Sequence, residues 1–147
     1  MPVPLTAACV AAAALAFGVV ETDLWSIFKV EGGRVGQCCA QPDETGKRTC
    51  GSDVTRRADC GPFQLNQLHA EEFGRIFGAP PQTAMERLRD DGCLNAYGAA
   101  YLLAQKTRQG GGDREEGVGR YHSATPELKA AYQRRIAKAR ARLFGAR

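Results

Sequence analysis

Histidine is scarce in this sequence, and metal-binding patterns are missing from it. His69 and His122 are its two imidazoles, and neither has cysteine or carboxylate ligands clustered around it, so no metal site and no cofactor is expected. Six cysteines, at 9, 38, 39, 50, 60 and 93, show none of the CxxC spacings of a zinc ribbon or a thioredoxin-type centre. No tract has the composition of collagen, of a disordered tail or of a coiled coil, since 44% of the residues are hydrophobic and 24% charged. The apolar run at residues 5–20 lacks the basic residues that open a secretory signal, although Ala14-Leu15-Ala16 resembles a cleavage site. It also falls short of the ~20 residues that a membrane helix needs. The expectation that remains is a buried, alanine-rich first helix, with the export signal already removed.

What is present suffices for one core. A chain of 147 residues and 15.8 kDa is of single-domain length, and a domain of that size buries roughly 68–70% of its unfolded surface. Seventeen glycines imply several loops and tight helix ends. An even set of cysteines in so short a chain reads as oxidised pairs, with buried free thiols as the alternative. Disulfides persist outside the cytoplasm, so the expected location is the periplasm or cell envelope. The net charge of +4 and the pI of about 8.8 suit an anionic partner, whether cell wall, nucleic acid or an acidic membrane face.

The patterning predicts a mainly helical chain. Thr22 or Asp23 is placed to N-cap a second helix carrying Leu24, Ile27, Phe28 and Glu31 at three- and four-residue spacings, which Gly32-Gly33 ends. Residues 36–60 lose the helical period and hold four of the six cysteines, as a stapled irregular region or a short hairpin. Helical patterning returns at residues 65–77, 83–89 and 94–106, and residues 109–113 (QGGGD) form a flexible loop. One more short helix is expected at residues 115–121. Pro126 opens a long final one with Leu128, Tyr132, Ile136, Ala139 and Leu143 as its apolar stripe. Its other faces carry Lys129, Arg134, Lys138, Arg140 and Arg142, either as a solvated surface or as a contact for wall or nucleic acid.

Glu31 stands out because helix C-termini favour cations. Between an apolar helix and a Gly-Gly bend, which lets a polymer approach closely, a partly buried carboxyl stays protonated near neutral pH and serves as a general acid. Its ordinary alternative is a helix-end carboxylate satisfied by Arg34 or a backbone amide. Four stretches bear on the choice: Val30-Glu31-Gly32-Gly33, then Asp59-Cys60-Gly61-Pro62-Phe63-Gln64-Leu65-Asn66, then Cys93-Leu94-Asn95, then Tyr121-His122-Ser123-Ala124-Thr125-Pro126. In this order they resemble the soluble lytic transglycosylases, and more narrowly the small enzymes that accompany conjugation and type III or type IV secretion machines. The likeness runs from about Cys9 to Tyr132. The family's commoner Glu-Ser-Gly is Glu31-Gly32-Gly33 here, and the cysteine-rich insert at residues 36–57 is unusual for it.

The resemblance implies one mainly α, lysozyme-like α+β domain over residues 1–147, a compact helical unit with a disulfide-rich irregular or hairpin insert. It implies Glu31 as catalytic acid, with Gly61, Gln64 and Asn66 lining a sugar cleft, Tyr121 beside the acid and His122 positioning sugar or Tyr121. The implied substrate is the peptidoglycan glycan strand, cut between N-acetylmuramic acid and N-acetylglucosamine with closure of a 1,6-anhydro ring. The implied partners are components of a secretion or conjugation machine, with the domain itself a monomer. Asp59 is the second carboxylate that a hydrolase would need, roughly 5–9.5 Å from the acid, or else a loop or cap acceptor. Trp25 stacks on a sugar or buries its ring. Cys9 and Cys93 match a disulfide common in the secretion-associated members. Adjacent Cys38 and Cys39 then each take one of Cys50 and Cys60, in either arrangement. A hydrolytic lysozyme, a non-catalytic wall-binding module and a basic nucleic-acid binder are the competing classes. Disulfides and DNA rarely share a compartment, so nucleic acid is not the expected partner.

Overall fold

A computed structural model describes residues 2–55 and 57–145. Seven α-helices lie among them: α1 Ala7–Phe17, α2 Glu21–Glu31, α3 Ala70–Phe77, α4 Pro81–Asp90, α5 Gly92–Gln109, α6 Arg114–His122 and α7 Pro126–Phe144. Four two-residue strands, β1 Cys38–Cys39, β2 Cys50–Gly51, β3 Asp59–Cys60 and β4 Leu65–Asn66, form one antiparallel sheet in the order β2-β1-β3-β4. The chain is therefore mainly helical with a small sheet. No helix among the described residues is long and apolar enough to cross a membrane.

Local chemistry sets the element ends, and two of them depart from the sequence pattern. Helix α1 starts at Ala7 because the Thr6 hydroxyl accepts from the Cys9 amide, and Gly18 closes it in a left-handed conformation (φ 66°). It buries only Val10, Ala13 and Ala14, while Leu15 is 86% exposed, so the expectation of a buried helix holds for one face alone. Helix α2 starts at Glu21 behind Val20, with no side-chain cap. Neither Thr22 nor Asp23 caps it; Asp23 lies inside the helix and buried. The expected helix at residues 65–77 is in fact strand β4, a 3-10 turn Gln67–His69 and then α3. Asn66 causes the break, since its extended backbone and its side chain, accepting from the Leu68 amide, start the turn afresh.

The core gathers the inward faces of all seven helices and the sheet around fully buried Leu24, Ile27, Phe63, Phe73, Met85, Leu88, Tyr132 and Ile136. Three disulfides brace it: Cys9–Cys93 ties α1 to α5, Cys38–Cys60 crosses β1 to β3, and Cys39–Cys50 crosses β1 to β2. The open choice between Cys50 and Cys60 is settled by register. Cys38 faces Cys60 and Cys39 faces Cys50 across the ladder, and successive strand residues point to opposite faces.

Asn95, wholly buried on α5, carries the sheet's turn. Its Oδ1 accepts from the Phe63 amide (2.8 Å), and its Nδ2 donates to the carbonyls of Cys60 (3.0 Å) and Leu88 (2.9 Å). Gly61, at φ 73°, passes so close to this amide that a Cβ there would collide with it. Asn95→Ala strands one buried donor and leaves a cavity, and is expected to lower stability by roughly 3 kcal/mol. A fall in the urea midpoint with an unchanged slope is the measurement that checks it.

Candidate active site

One cleft of about 620 Å³ runs between the end of α2, the sheet, the C-terminal half of α5, the α6–α7 corner and one face of α7. Glu31, Asp59, Gln64, Asn66, Tyr121 and His122 all line it, although they come from sequence positions up to about ninety residues apart. Of the residues expected there, Gly61 does not line it. Gly61 sits buried behind the wall, where its amide donates to the Gln37 carbonyl (2.9 Å) and its own carbonyl receives the Gln64 side chain (3.0 Å). The Gly-Gly bend also acts differently from expectation. Gly32 closes α2 at φ 63°, while Gly33 has no room for a Cβ because the Gly61 backbone presses against it. The close approach is therefore made by the protein's own chain.

Glu31, half-buried at the last residue of α2, accepts a 2.7 Å hydrogen bond at Oε2 from the Tyr132 hydroxyl of α7. Burial pushes its pKa above the usual carboxylate value, and the Asp59 charge adds to the rise. The Tyr132 hydrogen bond and the Arg135 and Arg48 charges act against it. Tyr132 is the functional residue that sequence reasoning missed, for it looked like one member of an apolar stripe. A hydroxyl in an otherwise aliphatic stripe was the signal, since a buried phenol needs a partner. Its ring stacks on His122 (centroids 4.9 Å apart, planes at 9°), and the Arg135 guanidinium lies 5.8 Å from its centroid. Partial burial, together with the Arg135 charge, holds the His122 pKa below the usual imidazole value. Tyr121 donates to the Phe63 carbonyl (2.9 Å), which pins the turn carrying Gln64.

Asp59 faces the cleft with both oxygens engaged. Asn66 donates to Oδ1 (2.7 Å), while Arg48 (2.7 Å) and Gln41 (3.0 Å) donate to Oδ2. Arg48 and Gln41 come from the cysteine-rich insert, so the two sheet disulfides hold a flap that forms one wall of the cleft. Gln64 adopts a left-handed backbone (φ 53°), rare for a residue with a side chain, and its Oε1 is buried with no partner among the described residues. A left-handed side-chain-bearing residue and an unpaired buried acceptor are both features that concentrate at functional sites.

His69 is half-buried on the cleft wall, and burial followed by the Lys106 charge lowers its pKa. Trp25 lies away from the cleft, packed edge-on against Phe28 and donating to Glu21 (3.1 Å), so its role is packing. No group of three or more His, Cys, Asp or Glu side chains among the described residues is arranged to hold a metal ion.

A protonatable carboxyl in an open cleft can deliver a proton to a bound oxygen and take one back. Tyr132→Phe tests the tuning. Without the phenol the Glu31 pKa rises further, so the alkaline limb of a pH–rate profile moves to higher pH. Turnover near neutrality is expected to fall roughly tenfold as the carboxyl loses a charge-assisted hydrogen bond. Against protein-family models, curated proteins and solved structures, the chain finds no significant match.

Proposed function

We propose that the protein is a peptidoglycan lytic transglycosylase with a lysozyme-like fold, exported to the periplasm or cell envelope, that opens the wall for a secretion or conjugation machine. The observation that carries this reading is an asymmetry between the two carboxyls lining the cleft. Glu31 is half-buried with a raised pKa and a single phenolic partner, whereas Asp59 accepts from Asn66, Arg48 and Gln41 across both of its oxygens. A hydrolase needs two available carboxyls, one of them free to attack or to activate water. A transglycosylase needs one. The ordered motifs around Glu31, Gln64, Asn66 and Tyr121 support the same choice, as do three disulfides, which suit an oxidising compartment.

In this mechanism the Glu31 carboxyl protonates the oxygen bridging N-acetylmuramic acid to N-acetylglucosamine, and the C1–O bond breaks with that proton on the leaving sugar. The resulting carboxylate takes the proton of the muramoyl C6 hydroxyl as O6 bonds to C1. The acid is regenerated and no water is consumed. Tyr132 holds the carboxyl during both transfers, and Gln64 and Asn66 orient the sugars.

Digestion of purified peptidoglycan followed by mass spectrometry of the released muropeptides tests this. Anhydro-terminated fragments, one water lighter than their reducing-end counterparts, are the expected product. Reducing ends would mean hydrolysis and would return Asp59 to a chemical role. No release by the wild-type protein in the presence of intact strands would favour a wall-binding module.

A further inference from the structure

The charges along the cleft do not balance. Arg48, Lys106, Arg120 and Arg135 line it, against Glu31 and Asp59 alone. Arg48 is neutralised by Asp59 (2.7 Å). Arg120 shares Glu116 with Lys129, at 3.2 and 2.9 Å, so that trio keeps a net positive charge. Lys106, half-buried near the end of α5, has no hydrogen bond or salt bridge among the described residues, and its charge reaches His69 in the lining of the same cleft. A cleft of one sign concentrates ligands of the other, and an ammonium there that no carboxylate of the protein neutralises is free to take one from a ligand.

A bare glycan strand offers nothing to match this, because its sugars carry acetamido and hydroxyl groups. The negative charge of peptidoglycan lies on the free carboxylates of the stem peptides attached to the muramic lactyl groups. Resting on the glycan reading above, we propose that Lys106, supported by Arg120, binds a stem-peptide carboxylate and so selects strands that still carry their peptides. Lys106 and Arg120 sit on the α5–α6 side of the cleft, apart from the Arg48–Asp59 pair on the sheet side, which leaves the sheet wall to the sugars.

The test uses the wild-type protein and a GlcNAc–MurNAc disaccharide tetrapeptide, which has no MurNAc–GlcNAc linkage to be cut. Its affinity is measured by calorimetry with the peptide carboxylates free and again with them amidated, alongside neutral chitotetraose. The acid form is expected to bind about five- to tenfold more tightly than the amide at low salt, with the gap closing at high salt. Lys106→Gln should bring the acid form down to the affinity of the amide, whereas Arg134→Gln, exposed on α7 outside the cleft, should keep the gap. Equal binding of both forms to the wild type, or a gap that survives Lys106→Gln, overturns the proposal and leaves the glycan reading standing. Failure of all three ligands to bind removes the glycan reading, and this proposal with it.

Discussion

Glu31→Gln is expected to lower the rate of glycan cleavage by about 10²–10⁴-fold while leaving the protein folded. Glutamine keeps the size of the side chain and can still accept from the Tyr132 hydroxyl, but it neither gives nor takes a proton. Burial raises the Glu31 pKa, so ionising this group works against the folded state. Its protonated form contributes fully below the ordinary glutamate pKa, and that contribution disappears as the pH climbs through the raised value. The amide never ionises. The variant should therefore melt at or above the wild-type temperature at pH 7, with the difference shrinking towards pH 4. Muropeptide release and thermal melting across that pH range check both halves. An inactive variant that also melts well below wild type would make Glu31 a structural residue; an active one would move the acid elsewhere.

Much of the fold was legible because it follows from short-range rules. The periodicity at residues 94–106 became α5, Pro126 opened α7, and Gly32 ended α2 at Glu31, all of them effects of neighbours within a turn or two. The start of α3 was not legible. Leu65 and Asn66 continue a helical apolar pattern, and only their pairing with Cys60 and Asp59 across the sheet makes them a strand. Asp23 looked like a cap because its side chain suits one. Its actual partners lie ninety and more residues away, which no local pattern reveals.

The candidate site divides along the same line. Glu31, Gln64 and Tyr121 could be named from ordered motifs, and the structure brings them to one cleft. Tyr132 and the cleft wall formed by Gln41 and Arg48 could not, since each depends on how separate elements are docked. The insert makes the point most clearly. Its sequence showed only cysteines and turn residues, yet pairing Cys38 with Cys60 and Cys39 with Cys50 turns it into the arm that grips Asp59.

Docking of α2 against α7 draws on Asp23, and removing its carboxylate should be strongly destabilising. Asp23, 2% exposed at its side chain, receives both Nε and a terminal nitrogen of Arg114 (2.7 and 2.8 Å) and a terminal nitrogen of Arg140 (2.9 Å), so one carboxylate joins α2, α6 and α7. The Nε of Arg140 is itself buried without a partner among the described residues. Asp23→Ala takes away the acceptor that the two guanidinium groups share, leaving Arg140 with Glu115 and the half-exposed Arg114 to solvent, and the loss is expected at about 3 kcal/mol, the low end of what breaking a buried pair from one side costs. Glu116→Ala, which removes a solvent-accessible acceptor from Arg120 and Lys129, should change stability far less. The contrast between the two in urea denaturation is the measurement. Comparable losses would make Asp23 one more surface ion pair. A large loss at Asp23 carries a second consequence, because α2 ends in Glu31 and α7 supplies Tyr132. Turnover of the still-folded variant should then fall together with its stability, as the 2.7 Å hydrogen bond between the two loosens.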